Sequence, residues 1–110
     1  MKSLKLKTMW ADYNVITHVA NYRNNNNLYI GLIDNEDGCP FADLTVNLGE
    51  KLGDECMAYV DTNNCPWAKE FIEENGLGED TGLFGMSGFC TYPLFIFDLD
   101  KVKEYAYVEN

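Results

Sequence analysis

Leu4-Lys5-Leu6-Lys7 sets apolar and cationic positions in strict alternation, the period of a strand with one buried face. The same period runs from Tyr13 to Tyr22, placing Tyr13, Val15, Thr17 and Val19 on one side and Ile16, His18 and Ala20 on the other. The run from Asn24 to Asn27 is wholly polar, and because Asn tolerates left-handed backbone it predicts a hairpin loop. Leu28 to Ile33 reads as the returning strand, and Asp34 to Gly38 as a second turn. Phe41 to Val46 is expected as one further strand and Cys56 to Val60 as a short apolar one, joined by the Gly-punctuated segment Leu48 to Asp54.

After residue 64 the period changes. Pro66 suits a first helical position behind Asn64 or Cys65 as cap. Trp67, Ala68, Phe71, Ile72 and Asn75 fall on one face of a helix over residues 66–75, and Lys69, Glu70, Glu73 and Glu74 on the other. Gly76 then ends it. Residues 76–91 mix glycines with Leu77, Leu83, Phe84, Met86 and Phe89, which predicts a structured loop packed on the domain. Tyr92 to Phe97 closes the sheet, with Pro93 marking an edge strand or a strand start. Val102 and Tyr105, behind Asp98 or Asp100 as a cap, fit either a helical turn or a last strand, so residues 99–110 stay open. The expectation is one α+β domain over 1–110. It has an antiparallel sheet of five or six strands and one principal helix packed on one face.

Charge alters this picture most. The chain has 18 acids against 8 bases, a formal net charge of −10. Lys2, Lys5 and Lys7 gather at the start, while Asp34 to Asp100 holds fifteen acids and only Lys51 and Lys69 as bases. Such a stretch repels a phosphate backbone and an anionic lipid surface, so neither nucleic acid nor membrane is an expected partner. No apolar run approaches a membrane span, no signal-peptide core is visible, and a cytoplasmic setting is expected. Cys39, Cys56, Cys65 and Cys90 are accordingly expected as reduced thiols.

Four kinds of chemistry have candidate residues in this chain. For a metal, no Cys-x2-Cys pair exists, and Asp34 to Asp37 departs from the calcium-loop spacing; no metal or cofactor is expected. For a thiol nucleophile, Cys65 at the helix start or Cys90 would have to use His18, the one histidine. The acidic helix face opposes a thiolate at Cys65. For a phosphate loop, Gly82, Gly85 and Gly88 are regularly spaced but lack the Lys-Ser/Thr pair. The acids are the remaining feature. Asp34, Glu36, Asp37, Glu70, Glu73, Glu74, Glu79 and Asp80 form the candidate partner-binding set, a negative surface for a basic protein.

Asp61 to Trp67, Phe71 to Leu77, Thr81-Gly82 and Ser87 to Pro93 also carry a resemblance. Over residues 59–97, with the preceding strands, the chain resembles a family of small proteins of unknown function found on plasmids, conjugative elements and phages of gut bacteria. The resemblance brings no catalytic residues. It implies a mobile-element setting, in which small acidic proteins block host defence by binding a basic nuclease. The expected function is thus a non-enzymatic acidic protein-binding domain, an inhibitor of a CRISPR or restriction nuclease that acts as a nucleic-acid mimic. Its alternatives are an accessory or regulatory protein without a defence target and a small cysteine-dependent enzyme using Cys65 or Cys90 with His18.

Overall fold

The alternating N-terminal segments become strands in register. In the computed structural model, which describes residues 2–106, β1 (Leu4–Lys7) pairs antiparallel with β2 (Asp12–Asn21), and β2 with β3 (Leu28–Asp34). Leu4 faces Val15, Thr17 faces Leu32 and Val19 faces Ile30, so one side of this sheet collects the apolar set. The asparagine tract does connect β2 to β3, but it is more than a loop. Asn27 is buried, donates to the Glu50 carbonyl at 2.7 Å and accepts from the Leu52 amide at 3.0 Å. It thereby ties the β2–β3 turn to the segment that follows β5.

Phe41 to Val46 is not one strand. β4 (Pro40–Asp43) pairs with β3, whereas β5 (Thr45–Val46) pairs with β6 (Met57–Val60) in a second sheet. Leu44 is the joint: its amide donates to the Ile30 carbonyl at 2.9 Å, and its carbonyl accepts from the Asp61 amide at 3.0 Å. One residue thus serves both sheets, and its fully buried side chain sits in the core common to them.

The helix begins later than expected. α1 (Ala68–Glu74) follows Trp67, which makes no side-chain cap bond, and buries Ala68, Phe71 and Ile72. Its end matches a Schellman motif: Gly76, at φ 66°, donates to the Glu73 carbonyl, and Leu77 reaches back to Ile72 at 3.0 Å. Leu77 and Ile72 are both buried.

The largest departure lies beyond Gly76. Residues 76–91 contain β7 (Gly78–Ser87), a ten-residue strand hairpinned onto β8 (Cys90–Phe97). Gly88, at φ 60°, and Phe89 make a two-residue turn of the kind that needs glycine first. β8 is central, between β6 and β7. Its Pro93 lies just past the β6 ladder, whose register ends at Tyr59 with Leu94, so the missing N–H forfeits no bond there. Asp98 accepts from the Lys101 amide and caps α2 (Leu99–Lys103), which decides for a helical turn at 99–103. Of the rest of that open segment, Ala106 makes one isolated parallel bridge with Thr17, and 107–110 lie outside the described residues.

The α+β expectation of one sheet with a principal helix is therefore corrected. The described residues are mostly strand, in two antiparallel four-stranded sheets ordered β1-β2-β3-β4 and β5-β6-β8-β7, with two short helices. The broken strand at Leu44 and the glycine-bearing β7 account for the change. Leu6, Val15, Ile30 and Leu32 from one sheet meet Val60, Phe95 and Phe97 from the other, with Phe71 and Ile72 of α1 and Val102 of α2. No helix among the described residues is long and apolar enough to cross a membrane.

Candidate functional site

The eight candidate acids divide into two places. Asp34, Glu36 and Asp37 occupy the β3–β4 turn, where Asp34 accepts from the Glu36 amide at 2.8 Å and Asp37 from the Cys39 amide at 2.9 Å. Two of these carboxylates therefore already shape the turn. Glu70, Glu73 and Glu74 stand exposed on α1 and line one shallow surface with Lys69. Glu73 also lines a cleft of about 620 Å3 with Glu79, Asp80, Ile96, Phe97 and Asp98. The fold thus gathers five of the eight around α1 and the start of β7, and the turn acids line neither cleft.

Their neighbours rank them. Asp80 is partly neutralised by Lys69 at 3.4 Å and accepts from the Gly82 amide at 2.9 Å. Glu70 and Glu74 share a narrow cleft with Lys5 and Lys7 of β1, without a close ion pair. Glu73 and Glu79 have no cationic neighbour within ion-pair distance among the described residues. Asp98, absent from the sequence-based set, joins them because β8 ends beside the start of β7. Its role as a cap was legible, but its neighbours were not.

The thiols and His18 do not converge. Cys65 lies in the core, donates to the Asp43 carbonyl at 3.7 Å, and has its thiol pushed up to about 11 by burial, then by Asp61 and Asp43. The opposing carboxylates are thus not those of the helix. His18 is exposed, packed edge-on against Tyr29 with ring centroids 5.8 Å apart. In the register it sits opposite Gly31, which faces Asp43, so two strand spacings, about 10 Å, separate it from the Cys65 partner. Cys90 lies on the other sheet, opposite Ser87. The Cys39 thiol is raised chiefly by Asp37, and that of Cys56 by burial and then Asp54. All four cysteines are unpaired, and no group of three metal-ligating side chains occurs among the described residues.

Two apolar features stand on the surface. Met9 and Trp10 project from the β1–β2 turn, and Trp10 lines a cleft of about 610 Å3 with Tyr13, Phe41, Pro66 and Trp67. There Tyr13 and Phe41 pack at 4.7 Å and Phe41 and Trp67 at 6.1 Å between ring centroids. The second is the β7–β8 hairpin, which exposes Leu83, Phe84, Met86 and Phe89. The available signal was Ser87-Gly88-Phe89-Cys90, a glycine-first two-residue turn between strand-forming residues.

The model of a family described as a domain of unknown function (DUF4313) matches residues 16–109. No curated protein and no solved structure matches the chain. The family match runs from within β2 past α2 and takes in both sheets, the joint at Leu44 and α1. With all but the first fifteen residues and the last one so covered, the chain belongs to the DUF4313 family.

Proposed function

We propose that this chain is a non-enzymatic protein-binding domain whose acidic α1 face engages a basic partner. The observation that carries the reading is that Glu70, Glu73 and Glu74 stand exposed without a close ion pair among the described residues, while Glu73 continues into the cleft with Glu79 and Asp98. Carboxylates left unpaired within their own molecule keep their field for an incoming cation, and such a field speeds encounter and selects partners. The finer reading is counter-defence. On a plasmid, conjugative element or phage, the partner would be a CRISPR or restriction nuclease whose nucleic-acid groove is basic, met in the cytoplasm. The chain itself then contacts neither nucleic acid nor membrane and uses no cofactor.

The test begins with a partner captured from host lysate and identified. Its association rate is then followed as NaCl rises. Steering by exposed charge weakens as the Debye length shrinks from about 10 Å at 0.1 M towards 3 Å at 1 M, so association should slow. Glu70→Lys, Glu73→Lys and Glu74→Lys together should slow it at least about 10-fold at low salt. The equivalent reversal of Asp34, Glu36 and Asp37 should change it far less. A helix reversal that associates as fast as wild type, with a rate indifferent to salt, would leave the acids as a solubilising surface only.

A further inference from the structure

β7 ends the second sheet, and among the described residues its outer edge is covered only at its beginning. There α1 lies beside it, with the Lys69–Asp80 ion pair between them. A bulge follows between Asp80 and Phe84, and from Phe84 onward β7 bonds to β8 alone. The residues flanking a two-residue turn exchange both backbone hydrogen bonds, and the pattern alternates from there. Ser87 with Cys90 and Gly85 with Tyr92 are therefore the bonded pairs, while Phe84 and Met86 aim their N–H and C=O groups at the free edge. Pro93 agrees with this parity. It lies opposite Phe84, where its missing N–H would have pointed away from β7.

The side chains on this edge are as unpartnered as its backbone. Phe84 is 63% exposed, Met86 65%, Leu83 63% and Phe89 106%. From Thr81 to Phe97 the sequence contains no charged residue, although the chain carries a net charge of −10. The occupant of this edge must therefore be a strand, to satisfy the backbone, and an uncharged apolar one, to match the side chains. A basic segment suits α1 and not this hairpin.

We infer that the occupant is β7 of a second copy, paired antiparallel about a two-fold axis at Gly85. In that register Phe84 lies opposite Met86 of the second copy, and Met86 opposite its Phe84. All the outward N–H and C=O groups of these residues then find partners. Gly82 lies opposite Gly88 of the second copy and Leu83 opposite its Ser87. Asp80 falls beyond the paired stretch, towards the other copy's uncharged turn, so no carboxylate faces a carboxylate. A parallel pairing would set the acids side by side. The four exposed side chains offer on the order of 500 Å2 of apolar surface per copy. Two copies can remove up to about 1,000 Å2, the lower bound for a specific interface. The dimer is therefore weak, and it forms against the mutual repulsion of two molecules of charge −10. Salt screens that repulsion, so added salt strengthens it.

Sedimentation equilibrium of the full chain across protein and NaCl concentration tests this. The expected result is a species of twice 12.5 kDa whose population rises with salt. Phe84→Lys with Met86→Lys sets lysines against each other across the axis and should raise the dissociation constant about 100-fold or more. Both positions are open to solvent in one copy, and circular dichroism should show the fold retained. Phe84→Lys with Met86→Glu sets opposite charges across the axis and should return the constant to within about 10-fold of wild type. A wild-type chain monomeric at every salt concentration, a dimer that salt dissociates, or a double-lysine variant that dimerises as tightly as wild type would overturn the inference. Its failure is separable from that of the basic-partner reading, because salt acts there with the opposite sign and the α1 reversal should not weaken the dimer.

Discussion

β1 and β7 are the two strands that begin one sheet and end the other, and they treat their open edges differently. β1 reads Leu-Lys-Leu-Lys; its Lys5 and Lys7 stand exposed, and α1 lies alongside with Glu70 and Glu74 across a narrow cleft. Charge and cover are both recognised means of keeping a strand edge from pairing with another chain. β7 has neither beyond its bulge. Leu83 to Ser87 holds no charge and no proline, no element among the described residues covers its edge, and it shows Phe84 and Met86 to solvent. A molecule with 18 acids that leaves the outer part of β7 without a charge has surface chemistry of two kinds. The charged kind suits a basic partner, and the uncharged kind suits a strand like itself.

The contrast sharpens within the β7–β8 hairpin, where the same strand pair is core at one end and surface at the other. Phe95→Ala empties a fully buried position and should cost about 3–5 kcal/mol, read as a lowered urea midpoint at unchanged slope. A loss below 1 kcal/mol would place β8 outside the core and break the comparison. Asn27→Ala is next. It leaves the Glu50 carbonyl and Leu52 amide without their protein partner, at about 1–3 kcal/mol, although the residue comes from a tract of plain asparagines. Asp98→Ala removes the side-chain cap of α2 and should cost about 1 kcal/mol. Phe89→Ala should come last, within about 0.5 kcal/mol of wild type, because the ring is in solvent. A large destabilisation at Phe89 would mean that the hairpin folds back on its own domain.

The regular part of this comparison was open to sequence reading. β1 alternates cleanly because it buries one side, β2 and β3 are marked by their run of strand-forming residues and bury both sides at mid-strand, and α1 is marked by Phe71 and Ile72 on the inner face and by Gly76 at its end. Two features resisted for physical reasons. Leu44 changes sheets within an unbroken alternating run, and no local preference records which neighbour each half will bond. β7 is hidden by its own glycines: with Leu83, Phe84 and Met86 all in solvent, the strand lacks the apolar alternation that a one-sided core imposes. Trp67 was expected as a core residue of the helix. It is half-buried instead, between Phe41 and Phe71 at the mouth of the aromatic cleft. Of the candidate acids, the helix set was legible as one face, whereas its union with Glu79 and Asp98 required knowing where β8 ends.

The most direct measurement of the open edge is residue-resolved amide hydrogen exchange over a range of protein concentrations. Gly85 and Ser87 should be protected at every concentration, because β8 holds their amides. Phe84 and Met86 should exchange freely in dilute solution and gain protection as concentration rises, together and to the same degree. Exchange at Phe84 and Met86 that is slow in dilute solution, or that concentration leaves unchanged, would contradict an open edge completed by a second copy.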